Sequence, residues 1–381
     1  MPLDYEVAVV GAGPAGLICA QELVKSRKKV VVFEEDKAVG EPTNCAGLLS
    51  KSGLRRLDIK PGRECVLNEV KGARFFSADG NTAEIRASEG KAYVLDRRLF
   101  DQQLAREYKG DLMLNAKCRA IERKKASFEL KTDKKTITAG SVVLSTGPDF
   151  KLAEPLGFHA PKTFINTIQY EIDGVKCDLD FVELYFGSVA PGFFAWLIPT
   201  GESTARIGLG AMHAPEKPTY YLKHFLGKLK ADARFGEDNK ILRKGGGLIP
   251  VYDSRARIEK GRAFLLGDTA GQVKATTGGG VIMGGLSAKI LADCITNGKD
   301  YDQETLQIKK ELERHLLVRR VINKFGDEQY SHMVDFLKKP EIKSLIEEKG
   351  DMDMVSPLID SVVKNPALAL KAMHFLGKGL F

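Results

Sequence analysis

The sequence predicts a two-layer α/β domain assembled from discontinuous segments, an antiparallel β-sheet domain and a helical C-terminal region. Three observations predict it. Residues 6–10 form a β-rich run that enters a glycine turn, a helical pattern and a second buried strand at 29–33, which is the βαβ unit. Residues 164–212 alternate β-branched and aromatic residues between glycines and prolines, as an antiparallel sheet does. After residue 300 every periodic stretch has helical spacing.

Composition narrows the function classes. The chain has 381 residues and a formal charge of +8, long enough for two sub-structures. Its 43% hydrophobic and 28% charged content is that of a soluble globular protein and excludes disorder and coiled coil. No apolar run approaches the ~20 residues of a membrane span. The start Met1-Pro2-Leu3-Asp4 lacks a basic region and cleavage site, so a cytoplasmic chain is expected. Six cysteines without a C-x-x-C point to independent thiols and no metal. Positive charge gathers at 117–135 and 228–262, expected as hairpin and loop surface. Neither stretch is interleaved with aromatics, which excludes nucleic acid as a partner.

The elements follow in order. Leu17, Ala20, Leu23 and Val24 mark one face of a helix at 17–26. Residues 39–49 are a Gly/Pro/Cys/Asn-rich loop of functional character. A helix is expected at 96–108, then strands at 112–115, 126–132, 136–139 and 142–144, the last ending at Ser145-Thr146-Gly147-Pro148. A helix at 220–234, a strand at 263–266 and a helix at 283–297 follow. Further helices are expected at 303–325, 327–338, 341–348 and 356–376, punctuated by Pro340, Pro357 and Pro366.

The glycine turn carries the first chemical signal. Gly11-x-Gly13-x-x-Gly16 sits between strand and helix, with Glu34 18 residues beyond Gly16 at the end of the next strand. Gly11 permits the tight turn, Gly13 lets backbone approach a pyrophosphate, and Gly16 lets helix and strand pack closely. Glu34 offers an acceptor to a ribose hydroxyl. A second signal lies far along the chain. Asp268 ends a buried strand, where it can accept from a ribityl hydroxyl. Thr277-Gly278-Gly279-Gly280-Val281 opens a helix whose N–H groups can face a ring carbonyl. One elongated cofactor spanning both segments fits FAD better than NAD.

With those pieces in place, the chain resembles the archaeal FAD-dependent geranylgeranyl reductases, within the p-hydroxybenzoate-hydroxylase-like flavoproteins. The resemblance covers about residues 5–300. It also rests on Gly40-Glu41-Pro42-Thr43-Asn44-Cys45-Ala46-Gly47-Leu48, similar to the family's cysteine loop, and on Asp96-Arg97-Arg98-Leu99-Phe100-Asp101. Pro191-Gly192-Phe193-Phe194-Ala195-Trp196-Leu197-Ile198-Pro199 is similar to the reductase signature P-x-x-Y-x-W-x-F-P, with Phe194 for the Tyr and Ile198 for the second aromatic. The resemblance implies cofactor contacts at Gly11, Gly13, Ala15, Gly16, Glu34, Cys45, Ala46, Gly47, Arg97, Cys118, Asp268, Gly280 and Val281. It implies a substrate wall at Phe194, Trp196 and Pro199. It implies a Rossmann-like FAD-binding domain in segments 1–70, 91–155 and 256–300, a substrate domain at 71–90 and 156–255, and a helical region at 301–381. The implied activity saturates C=C bonds of geranylgeranyl chains in membrane lipids or their precursors.

Such chemistry needs a hydride and a proton. Reduced flavin carries the hydride. Cys45 is the candidate proton donor or gate, and Trp196 can face developing positive charge. His159, His213 and His224 are read as surface or core residues. Gly208-Leu209-Gly210 and Gly245-Gly246-Gly247 lack a βαβ setting, so electrons come from an external donor: a ferredoxin, NAD(P)H or a deazaflavin. The basic surface would suit an acidic ferredoxin. The apolar stretch 367–381 either packs on the body or rests peripherally on the inner face of the cell membrane. Two other readings share the cofactor site: a monooxygenase or halogenase acting on a ring substrate, and a flavin-binding electron carrier without turnover.

Overall fold

The computed structural model describes residues 3–366 and 368. Tyr5–Val10 lies inside an eight-stranded sheet, paired in parallel with Val30–Phe33 on one side and Thr136–Leu144 on the other. Asp111–Met113 and Ala263–Leu265 extend the parallel run outward. Parallel strands buried on both faces need helices over them. Leu17, Ala20 and Leu23 of helix Pro14–Lys25 and Ala288 and Leu291 of helix Val281–Asn297 join that core. The two strands expected at 136–139 and 142–144 are one continuous strand, and Cys118–Arg123, not anticipated, pairs with Phe128–Thr132 at the sheet's margin.

The second sheet has seven strands in the order Phe235–Pro250, Phe164–Val175, Thr204–Ala211, Ala195–Pro199, Phe181–Tyr185, Gly72–Phe76 and Thr82–Arg86. All neighbours are antiparallel except the pair Phe181–Tyr185 and Gly72–Phe76, which run parallel. That one pairing departs from the wholly antiparallel expectation: these strands come from separate chain segments and are not joined by a hairpin. The basic stretch 228–262, expected as hairpin and loop, contains the 16-residue strand Phe235–Pro250. It lies at the sheet edge, where polar and charged residues are the usual protection. Helix Pro218–Ala231 covers one face of this sheet with Tyr221, Leu222, Phe225 and Leu229.

A small third sheet joins Leu48–Ser50, Ala92–Leu95 and Val66–Val70 between the two large ones. Beyond residue 300 the chain is helical. The helix expected at 303–325 is divided into Tyr301–Glu304 and Leu306–Ile322. Thr305 sits at the break, its hydroxyl donating back to Tyr301 O at 2.7 Å, a back-bond that disturbs helices. Asp327–Lys338, Pro340–Lys349 and Ser356–Lys364 complete the region. The helix expected at 356–376 is described only to Lys364, and the expectation for 367–381 falls outside the described residues, Leu368 apart. Among the described residues no helix is long and apolar enough to cross a membrane.

Candidate active site

The glycine turn is built as its spacing requires. Gly11 has φ +105°, and a Cβ there would lie 2.1 Å from Ser145 O. A Cβ on Gly16 would lie 2.2 Å from Gly11 O. Gly13 differs: its φ is −69° and a Cβ would meet nothing within 4 Å. The turn is therefore closed by two glycines, while the third borders open space. Gly13 caps helix Pro14–Lys25 without a side-chain hydrogen bond, so the first-turn N–H groups stay available to an anion. Glu34 stands beside this opening, accepting from Ala12 N at 2.9 Å and Asp36 N at 3.0 Å. Cys118 is buried in the core next to that corner, with Ala116 N donating to Glu34 O at 2.8 Å. Burial pushes the Cys118 thiol up to about 12, so it stays protonated and apolar in character.

The two distant glycine-bearing segments meet through small residues. A Cβ on Gly267 would come 3.1 Å from Ala15 Cβ, and one on Gly284 would come 3.3 Å from it. A Cβ on Gly280 would come 2.5 Å from Asp268 Oδ1, which places Asp268 at the uncapped start of helix Val281–Asn297. Arg97 is buried and makes a bidentate pair with Asp101 at 3.0 and 2.9 Å, close to Cys45. Burial alone would lower its pKa, but the Asp101 carboxylate outweighs that and raises it, so the guanidinium is fixed as a cation. Burial raises the pKa of Asp268, and the nearby Arg97 charge opposes the rise. Cys45, Arg97 and Asp268, separated by up to 223 residues, thus share one polar cluster.

The cysteine loop is fastened to the second sheet. Gly47 has φ +77°, and its missing side chain makes room for Arg206. Arg206 Nη1 donates to Ala46 O at 2.8 Å and Leu95 O at 2.9 Å. Alternation places Arg206, Gly208 and Gly210 on one face with Ile198, Trp196 and Phe194. Across the next strand lie Glu171, Gln169 and Thr167, and beyond them Arg243, Gly245 and Gly247. Glu171 accepts from Arg243 at 2.6 Å and lies 3.7 Å from Arg206 Nε. A Cβ on Gly245 would come 3.2 Å from Thr43 O and 3.5 Å from Asn44 Oδ1, so this face looks onto the loop ahead of Cys45. Phe194 packs edge-on to Trp196 at 6.0 Å and stacks on Phe193 at 4.2 Å. Pro199 does not join them. It alternates with Ile198 and pairs with Ala205 on the opposite face, whose neighbours Leu197 and Ile207 pack under helix Pro218–Ala231.

The C-terminal region grips the loop that leads to Gly280. Lys274 is buried and donates to Asp353 Oδ1 at 2.5 Å and Met352 O at 2.8 Å, while Ser50 donates to the other Asp353 oxygen. Arg319 donates to Ala275 O at 2.8 Å and Thr276 O at 2.6 Å, and its guanidinium lies 4.6 Å from the Phe193 ring centroid. Burial lowers the Arg319 pKa to about 10, still charged at neutral pH. His315 joins Thr276 Oγ1 at 2.6 Å and Asp353 O at 3.1 Å. A carbonyl only accepts, so Nε2 carries the proton and Nδ1 accepts from Thr276.

Sequence reasoning did not single out Asp101, Gln169, Arg206 or Lys274. Arg97 and Asp101 carried a readable signal, an opposite-charge pair at i, i+4. Arg206 carried another, a lone charge in the apolar run Thr204–Ala211. Lys274 and Asp353 are 79 residues apart and gave none.

Comparison with known proteins agrees with this geometry. A family model described as geranylgeranyl reductase catalytic domain matches residues 164–249, and one described as pyridine nucleotide-disulphide oxidoreductase matches residues 5–168. The chain is 30% identical over 360 residues to a digeranylgeranylglycerophospholipid reductase of Methanocaldococcus jannaschii, covering 87% of this chain and 90% of that protein. The chain belongs to the geranylgeranyl reductase family. The family's catalytic-domain model falls on the strands that carry Gln169, Trp196, Arg206 and Gly245, the face turned to the cysteine loop. Among solved structures, a geranylgeranyl bacteriochlorophyll reductase-like protein of Thermoplasma acidophilum superposes with a TM-score of 0.81 at 22% identity, covering 98% of this chain and 99% of that one. A p-nitrophenol 4-monooxygenase of Pseudomonas putida gives 0.71 at 16% identity, covering 91% and 98%. Both likenesses speak to fold alone.

Proposed function

We propose that this chain is an FAD-dependent oxidoreductase that saturates C=C bonds of geranylgeranyl chains in archaeal-type membrane lipids or their precursors. One observation carries the reading. An aromatic wall, Phe194 and Trp196, stands on the sheet face that abuts the loop of Cys45. The residues present fit FAD. Gly13 leaves room for a pyrophosphate at an uncapped helix start, with Gly11, Ala15 and Gly16 shaping the turn and Glu34 placed for the ribose. Asp268 would hold the ribityl chain, with Gly280, Val281, Arg97 and the Cys45-Ala46-Gly47 loop about the ring and Cys118 beneath the Glu34 corner. When bound, the flavin supplies the hydride.

The chain's own part is orientation, dryness and a proton. Arg97 is held rigid by Asp101, so it fixes the loop at Cys45 without extra ordering cost on binding. Cys45 Sγ accepts from Gly47 N–H at 3.4 Å, a contact that engages sulfur as an acceptor and leaves its S–H free to donate to the alkene. An isolated alkene cannot stabilise an anion, so positive charge develops, and the Trp196 face is placed to receive it.

The electron donor is external, a ferredoxin, NAD(P)H or a deazaflavin, because Gly208–Gly210 and Gly245–Gly247 lie inside strands. The hairpin 117–135 is a poorer docking face for an acidic ferredoxin than its lysine count suggests. Lys117 pairs with Glu35, Arg119 with Asp133, and Lys124 and Lys131 with Glu122. A cytoplasmic enzyme in peripheral contact with the membrane follows from a lipid substrate. Anaerobic addition of a geranylgeranyl lipid to the photoreduced holoprotein tests the reading: it should reoxidise the flavin. Reoxidation by oxygen alone, accelerated by a phenol, would favour a monooxygenase.

A further inference from the structure

Besides Arg206 Nε, which has Glu171 at 3.7 Å, two polar atoms on the sheet face are buried without a partner: Trp196 Nε1 and Gln169 Oε1. Their residues are 8% and 7% exposed. They are neighbours in register, since Trp196 and Gln169 both pair with Gly208, one from each side. A Cβ on Gly208 would lie 2.7 Å from Trp196 Cζ2 and 2.5 Å from Gln169 Cβ. Cζ2 and Nε1 are bonded to the same ring carbon. The indole edge over Gly208 is therefore the one that carries the N–H, and Gln169 flanks the same glycine.

An indole N–H only donates and an amide oxygen only accepts. One occupant satisfies both if it accepts and donates through a single atom. A hydroxyl or a water does this. An ether oxygen, an ester carbonyl or a phosphate oxygen without a proton does not. Buried polar groups are almost always satisfied, so two orphans of complementary kind flanking one glycine mark a place made for a third group. Gly245, on the far side of Gln169, abuts Thr43 and Asn44, so the place lies next to the cysteine loop.

We infer that Trp196 Nε1 and Gln169 Oε1 together form a binding site for one O–H group, filled either by a water or by a hydroxyl of the bound lipid. The water case stands independently of the proposed reductase activity, and the hydroxyl case rests on it.

Trp196 is the only tryptophan, so protein labelled with 15N-indole tryptophan gives a single Nε1–H resonance. It is recorded for the FAD-loaded protein alone, with geranylgeraniol, and with the matching hydroxyl-free tetraene hydrocarbon. A hydrogen-bonded shift in every sample identifies water. A bonded shift that appears with geranylgeraniol and not with the hydrocarbon identifies the lipid hydroxyl. In either case Gln169→Leu should move the resonance toward the free-indole position, and Gln169→Glu, which keeps an acceptor, should restore it. Retained flavin colour reports that each variant is folded. A free-indole position in all wild-type samples, or a bonded position unchanged in Gln169→Leu, overturns the inference.

Discussion

Substituting each glycine of the nucleotide turn by alanine separates fold from binding. At Gly11 the new methyl would meet Ser145 O at 2.1 Å and force a side chain into a left-handed backbone. The conformational part costs about 1–2 kcal/mol and the overpacking a further ~1–3 kcal/mol. Gly16→Ala meets Gly11 O at 2.2 Å and carries the overpacking part alone. Gly13→Ala meets nothing. Its gain of roughly 0.4–1 kcal/mol from reduced unfolded-state entropy is offset by a weaker N-cap, about 0.5 kcal/mol, so the stability of the cofactor-free protein hardly changes. With FAD placed as proposed, the same methyl would stand in the path of the pyrophosphate, at a cost of about 1–3 kcal/mol, or roughly 5- to 150-fold in FAD affinity. Urea unfolding of cofactor-free protein and FAD titration by flavin fluorescence measure the two effects. Gly13→Ala binding FAD as tightly as wild type, or unfolding as easily as Gly11→Ala, would refute the assignment.

Other perturbations follow from the buried charges. Asp101→Asn leaves Arg97 buried and unpaired and should cost about 3–5 kcal/mol in denaturant unfolding; a loss under ~1 kcal/mol contradicts the pairing described. Lys274→Met strands Asp353 in the same way and should destabilise by a comparable ~3–5 kcal/mol while loosening the 274–280 loop, seen as faster backbone hydrogen exchange there; protection unchanged from wild type would count against the clamp. Burial and Lys274 lower the His315 pKa, against Asp353 O, Glu311 and Asp353, which favour the proton. Its folded pKa lies below the unfolded value, so the unfolded chain binds more protons. Stability from this group is present above about pH 6.5 and is lost as pH falls through the folded pKa. Melting temperatures between pH 7.5 and pH 5.5 should fall further for wild type than for His315→Gln, and parallel curves would exclude the effect.

Local signals carried the cofactor half of the molecule. The glycine turn, Glu34 and Asp268 each sit at a strand end, and strand ends are marked by short apolar runs. Alternation within Ala195–Pro199 also holds the reason Pro199 leaves the wall that Trp196 joins, since one residue of offset changes the face. What was not legible depends on contacts between remote segments. Gly208 and Gly245 read only as glycines without a βαβ setting, yet each lies in a strand on either side of Gln169, where glycine leaves space for the indole or for the cysteine loop. Lys274 reads as an ordinary surface lysine until a carboxylate 79 residues away is folded against it.

Hydrogenation of an isolated prenyl double bond by reduced flavin on this chain can be read in one turnover. A single-turnover experiment tests it most directly. Dithionite-reduced holoprotein, freed of excess reductant, is mixed anaerobically with a geranylgeranyl lipid, and the product is weighed by mass spectrometry. Two hydrogens should be added per reduced flavin, with the flavin returning to its oxidised spectrum. Lipid recovered unchanged beside flavin that stays reduced would contradict it.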